Sequence, residues 1–333
     1  MHSKVLKMSF VLQRRSVQIC CLLVFFACII CWRSSDVILY GRFWAEEGDN
    51  FFYHAWITPQ LQMLLYSFGG YLNLATNATT LIAARYIPLQ YSPYFTSITG
   101  LLFQLLPLFL LLTAKDEWLN STKARILTTV LLLLVPESIE TSLQSLHIQF
   151  QLTLASVILL VLQPVSSYQR YFRLFILALA GLSGVMNICL IPLFFIQYFL
   201  EKKQYRLAQL CIVLISCSIQ YFIFYETVSN RFHNFFISDF FEIFFVRNLL
   251  FPFLGTNTET IKYANFLHDH IHQISAAYIP SLFVIIFLLT IIIIFLSSTK
   301  NKKSCFFLYL FFRSVFSFNH RFYWTKGGIL NSF

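Results

Sequence analysis

Four carboxylates, Asp36, Glu46, Glu47 and Asp49, fall within fourteen residues of a chain that is only 11% charged. They are interleaved with Trp44, Phe51, Phe52, Tyr53 and Trp56, and Tyr71 ends the same stretch. Carboxylates packed among aromatic rings are costly unless they are used, and burial readily tunes their protonation. Aromatic faces beside carboxylates also suit sugar rings, which present C–H faces and hydroxyl edges. The plainer reading is an interfacial segment whose Trp and Tyr form an aromatic belt, with the acids merely solvated. The density of acid in so uncharged a sequence argues for use.

Other reactive patterns are weaker. His268, Asp269, His270 and His272 form a compact HDHIH cluster, in which His268 and His272 would share one helical face. That spacing can hold a divalent metal, but a third, distant ligand is missing, so a solvated loop is the better reading. Cys28-x-x-Cys31 lies inside an apolar run, where small apolar helix residues are expected and a redox motif is not. The sequence contains no Gly-rich phosphate loop of the Walker type, which argues against an ATP-driven pump.

The elements that must carry the acidic cluster are membrane spans. With 58% hydrophobic residues and a mean hydropathy of +0.69, the chain lacks the polar surface a soluble globule needs. The same numbers exclude disorder. Apolar runs of bilayer length stand at Val17–Trp32, Tyr94–Ala114, Ile148–Gln163, Leu207–Tyr225 and Ala277–Ser297. Leu174–Leu200, interrupted by Gly181, Ser183, Gly184 and Asn187, reads as two short helices or one broken one. Arg125–Pro136 is short and is expected to continue through Glu137–His147 as an amphipathic helix. The expectation is an all-α polytopic transmembrane bundle of about eight spans, or nine, with short amphipathic helices in its outer loops. Residues 1–304 form one transmembrane domain, with outer segments at about 33–90 and 226–276. Residues 305–333 read as an atypical tail, either a ninth span with an unusual end or a truncated one.

Charge sets the orientation. Segments 1–16, 115–125, 164–173, 201–206 and 298–304 hold fifteen Lys and Arg against three acids. The alternate segments hold six basic residues against eleven acids. By the positive-inside rule the N-terminus and the basic segments are cytoplasmic, and the acidic cluster faces outward. The net charge of +10 therefore reports topology, and no nucleic-acid partner is expected.

Several local words add a resemblance. FWAEEGDNFFYHAW resembles the "FWAEDG…F" segment of a bacterial membrane-protein family of the glycosyltransferase-C type, with Glu47 standing where that word has Asp. GGYLNL is similar to its "GYL" element and ARYIP to an "RL…P" element. VPESIETSLQSLHIQFQL resembles a segment opening a later span, with Ser145 or Leu146 where an Asn is expected. LAGLSGVMNICLIPLFF resembles "LAGLTGP…PL", and together these words cover about residues 36–200.

The resemblance implies a multi-pass enzyme of the bacterial cytoplasmic membrane. It would move a sugar from a polyprenyl-phosphate donor to a glycan or lipid acceptor on the outer face. An acceptor hydroxyl then needs a general base, for which Glu47 is the first expectation and Glu46 and Asp49 the alternates. The departing phosphate needs positive charge, and Arg42, Arg85, Arg231 and Arg247 are among the few outer cations. Trp44 and Tyr71 are candidate sugar platforms, and His147 with Glu137 would line the acceptor side. A divalent cation between the carboxylates is possible but not required. Two rival readings remain: a transporter or flippase of a lipid-linked sugar, and a catalytically inactive membrane scaffold.

Overall fold

The computed structural model describes residues 2–119, 121–134, 141–164 and 166–226, and beyond them 242, 245–246, 250–254, 257–270, 282 and 285–286. They fall in two compact units, divided after Ser229.

The first unit is a helical assembly. Helix α1 (His2–Arg33) leads through α2 (Ser35–Tyr40) to a π-helical turn, Glu47–Phe52, which runs directly into α3 (Tyr53–Ile57). After α4 (Gln60–Leu64), strands β1 (Ser67–Phe68) and β2 (Tyr71–Leu72) pair antiparallel. Their connection is Gly69-Gly70, with φ of 66° and 87°, a two-residue turn whose positive φ values glycine alone adopts without strain. Then come α5 (Leu74–Tyr86), α6 (Ser92–Thr113), α7 (Thr122–Leu134), α8 (Ile148–Val161), α9 (Ser167–Gly181), α10 (Ile191–Glu201) and α11 (Gln204–Glu226). Helix α6 is central, packing against α1, α5, α7 and α8, while α8, α9, α11 and α10 follow as successive neighbours.

Among the described residues, three stretches are long and apolar enough to cross a membrane: Arg15–Arg33, Leu89–Thr113 and Gln204–Glu226. Each overlaps an apolar run expected from the sequence. Ile148–Val161 and Met186–Glu201 are apolar but shorter. The run Leu174–Leu200 is indeed two helices, α9 and α10, parted at Leu182–Leu190. Ala277–Ser297 and the tail 305–333 lie largely or wholly outside the described residues.

Helix α11 explains why these elements suit lipid. Its buried face carries Arg206, Gln209, Ser216 and Gln220, while Leu214, Ile215, Ile219 and Phe222 are exposed. A helix in water turns its apolar stripe inward. This one buries its polar groups beside Leu210, Val213 and Cys217 and presents aliphatic surface to its surroundings, as a bilayer requires.

One expected element is corrected. The amphipathic helix was expected to run through to His147, yet residues 141–147 form turns and bends. Backbone amides that a helix would use internally go elsewhere: Leu143 donates to Gln104 Oε1 (3.1 Å) and Ser145 to Glu47 Oε1 (3.0 Å). Leu143 sits at φ 55°, and α6 makes room for the segment at Gly100, where an added Cβ would lie 2.5 Å from the Gln144 nitrogen.

The second unit contains helices Phe251–Leu254 and Thr258–His270. Asn257 caps the latter, its Oδ1 accepting from the Thr260 amide at 2.9 Å. His268, Asp269 and His270 lie in that helix, and His272 lies outside the described residues.

Candidate functional site

The acidic word folds as one tight unit. Phe51, on the π-helical turn, is buried with Ala55, Met63, Leu81 and Leu146, and its ring meets those of Tyr66 and Phe68 edge-on at 5.8 and 5.6 Å. With Phe51 driven inward, the flanking residues are sorted by helical rotation. Glu47 goes to the interior, Glu46 is half-buried and Asp49 is exposed. Ala45 takes φ 41°, a conformation uncommon outside glycine, just before the two glutamates.

Glu47 is 1% exposed. Its Oε1 accepts from the Ser145 amide at 3.0 Å and from the Ser145 hydroxyl at 2.5 Å, and its Oε2 accepts from the Trp44 amide at 3.2 Å. Burial pushes the carboxyl above its ordinary value, although hydrogen bonds from Ser145, Trp44 and Thr96 pull in the opposite direction. Every one of those donors is protein, so Glu47 joins the π-helical turn to residues 141–147. It is placed as a tether, with both oxygens occupied.

Asp49 has the opposite surroundings. It lines an open cleft of about 510 Å³ together with Gly48, Phe52, Tyr53, Trp56 and Leu89. Phe43, Phe52 and Trp56 form a row of rings, with centroids 4.6 and 6.0 Å apart. Tyr53 and Trp56 are 55% and 51% exposed, so flat apolar faces are presented beside a carboxylate. Leu89 begins the apolar stretch Leu89–Thr113, which puts the cleft at the end of a span.

The remaining candidates are placed as follows. The Arg42 guanidinium stacks over the Trp44 ring at 4.9 Å. Arg85 is exposed and donates to the Thr58 carbonyl at 2.7 Å, capping α3. Neither arginine lines the cleft. Tyr71 accepts from Gln149 Nε2 at 3.4 Å through its hydroxyl, and its strand is bound by Gln220, which exchanges two 2.9 Å bonds with the Leu72 backbone. His147 is buried beside Gln144, 3.2 Å from Nδ1 to Oε1, and precedes α8 two residues after the Glu47 contact. Glu137, Arg231 and Arg247 lie outside the described residues. Among the described residues, no three His, Cys, Asp or Glu side chains gather as a metal site.

Sequence reasoning missed Thr96, Gln104 and the bonding role of Ser145. Ser145 is marked in the sequence only as standing where a family word has Asn, and Thr96 carries no local signal. Asn73, Thr76 and Asn77 of the GGYLNL region are also buried wiring: Asn73 donates to the Leu146 carbonyl, Thr76 to the Ser145 carbonyl and Asn77 to those of Leu64 and Tyr66. Asn77 is thereby spent internally, which removes the sequon Asn77-Ala78-Thr79 as a glycosylation site in the folded chain. No protein-family model, no curated protein and no solved structure matches the chain.

Proposed function

We propose that the chain is a multi-pass glycosyltransferase of the bacterial cytoplasmic membrane, with about eight spans and a cytoplasmic N-terminus. It transfers a sugar from a polyprenyl-phosphate donor to a glycan or lipid acceptor at the outer face. The observation that carries this reading is the exposed Asp49 carboxylate in an aromatic cleft at the end of a span.

Asp49 takes the proton from the acceptor hydroxyl as that oxygen attacks the anomeric carbon. The bond from that carbon to the donor phosphate breaks, and the polyprenyl phosphate leaves with its electron pair. Positive charge must meet the leaving group, and Arg42 and Arg85, although outside the lining of the cleft, are two exposed arginines of this segment. Phe52, Tyr53 and Trp56 supply C–H stacking faces. Glu47 is a positioning residue, because its oxygens already accept from Ser145 and Trp44.

A lipid-linked-sugar transporter is the second reading. It is favoured by the break between α9 and α10, where neither amide atom of buried Asn187 has a hydrogen-bond partner among the described residues. The two separate in proteoliposomes carrying radiolabelled polyprenyl-phosphate sugars and a mixture of membrane glycan acceptors. Label moving into acceptor supports the transferase. Label that crosses the bilayer still attached to its donor favours the transporter and sinks the transferase.

A further inference from the structure

A second cleft, of about 230 Å³, lies where α1, α6 and α7 meet, at the opposite end of α6 from the acidic word. Arg15 and Arg125 both line it, and their like charges act on each other. The rim is completed by Gln18 and by Thr122, the first residue of α7, and among the described residues no acid lines the cleft. Arg15 is partly anchored, donating to the Ala114 carbonyl at 3.3 Å. Two half-buried guanidiniums lining one cleft offer an anion two planar forks of N–H donors, which suits the cleft to an anion.

The position selects the kind of anion. Arg15 opens the apolar stretch Arg15–Arg33, and Leu112 lies one residue from the end of Leu89–Thr113. Both spans therefore place the arginines at the level of a bilayer surface, whichever surface that is. Ile19, Leu22, Leu112 and Ile126 continue the wall of the cleft as hydrocarbon. A volume of about 230 Å³ is below that of a drug-sized ligand site and suits a compact charged group.

We propose that this cleft binds the phosphodiester headgroup of an anionic membrane phospholipid, with Arg15 and Arg125 contacting the phosphate and one acyl chain lying along the apolar wall. The site is independent of the transferase reading.

The test is native mass spectrometry of the full-length protein released from nanodiscs of mixed phosphatidylglycerol and phosphatidylcholine. Wild type retains phosphatidylglycerol in preference. Removing either guanidinium, as Arg15→Gln or Arg125→Gln, weakens that preference about tenfold. The pair Arg15→Lys and Arg125→Lys keeps part of it, which separates loss of the site from loss of the fold. Arg170→Gln, which removes an exposed cation on α9, leaves the preference unchanged. An equal loss in Arg170→Gln would mean bulk attraction to a basic surface and overturn the proposal. So would displacement of the lipid by inorganic phosphate alone, since the site would then take a free anion.

Discussion

Glu47 and Asp49 are two residues apart and have opposite fates, and the difference lies in what surrounds each. The rotation of the π-helical turn that buries Phe51 also buries Glu47 against Ser145, ninety-eight positions later in the chain. Asp49 projects into the aromatic cleft. Because burial raises the Glu47 carboxyl above 4.5, the folded state holds that proton more tightly than the unfolded chain does. Its contribution to stability is therefore complete below about pH 4.5 and declines as pH rises through the folded value. Thermal melts of the detergent-solubilised protein should lose stability on that rise, and Glu47→Gln, neutral at every pH, should flatten the dependence. A Glu47→Gln variant with the same pH slope as wild type would show that the carboxyl does not titrate in the fold. The acidic word was legible as a cluster of candidate bases. Which member is exposed was not, because burial of Glu47 depends on a partner no local pattern reveals.

At the scale of elements, segment 141–147 is held by side chains in place of helical hydrogen bonds, and Gly100 permits its close approach to α6. Gly100→Ala places a methyl group within 3 Å of the Gln144 backbone nitrogen, carbon and oxygen, where no flexible side chain can yield. The expected cost is about 1–3 kcal/mol, read as a lower melting temperature. Transfer activity should fall with it, since Ser145 is displaced from Glu47. An unchanged melting temperature would mean that α6 and the segment separate freely. Long apolar helices such as α6 and α11 were legible because their lipid-facing residues set mean hydropathy directly. The turns at 141–147 were not, because Gln104 and Glu47 take amides that propensity alone assigns to a helix.

The whole molecule sorts its helix ends. Asp116 accepts from the Gln163 amide at 3.0 Å, Gln163 donates to Glu201, and Arg206 pairs with Glu201 at 3.0 Å. Asp116, Glu201 and Arg206 come from segments that charge counting assigns to the cytoplasm, and Gln163 adjoins one. Residues 47, 72–73, 75, 145–146, 183 and 220 form hydrogen-bonded pairs toward the other ends of these helices. In a variant with native cysteines replaced by alanine, Tyr53→Cys should react with an impermeant maleimide in intact spheroplasts, and Lys203→Cys only after permeabilisation. The reverse pattern would invert the molecule and remove the outer-face reading. The most direct measurement is the turnover of Asp49→Asn in proteoliposomes with a radiolabelled polyprenyl-phosphate sugar, beside wild type of equal melting temperature. The account predicts a loss of about 10²–10⁴-fold with donor binding retained. Transfer at the wild-type rate by Asp49→Asn would contradict it.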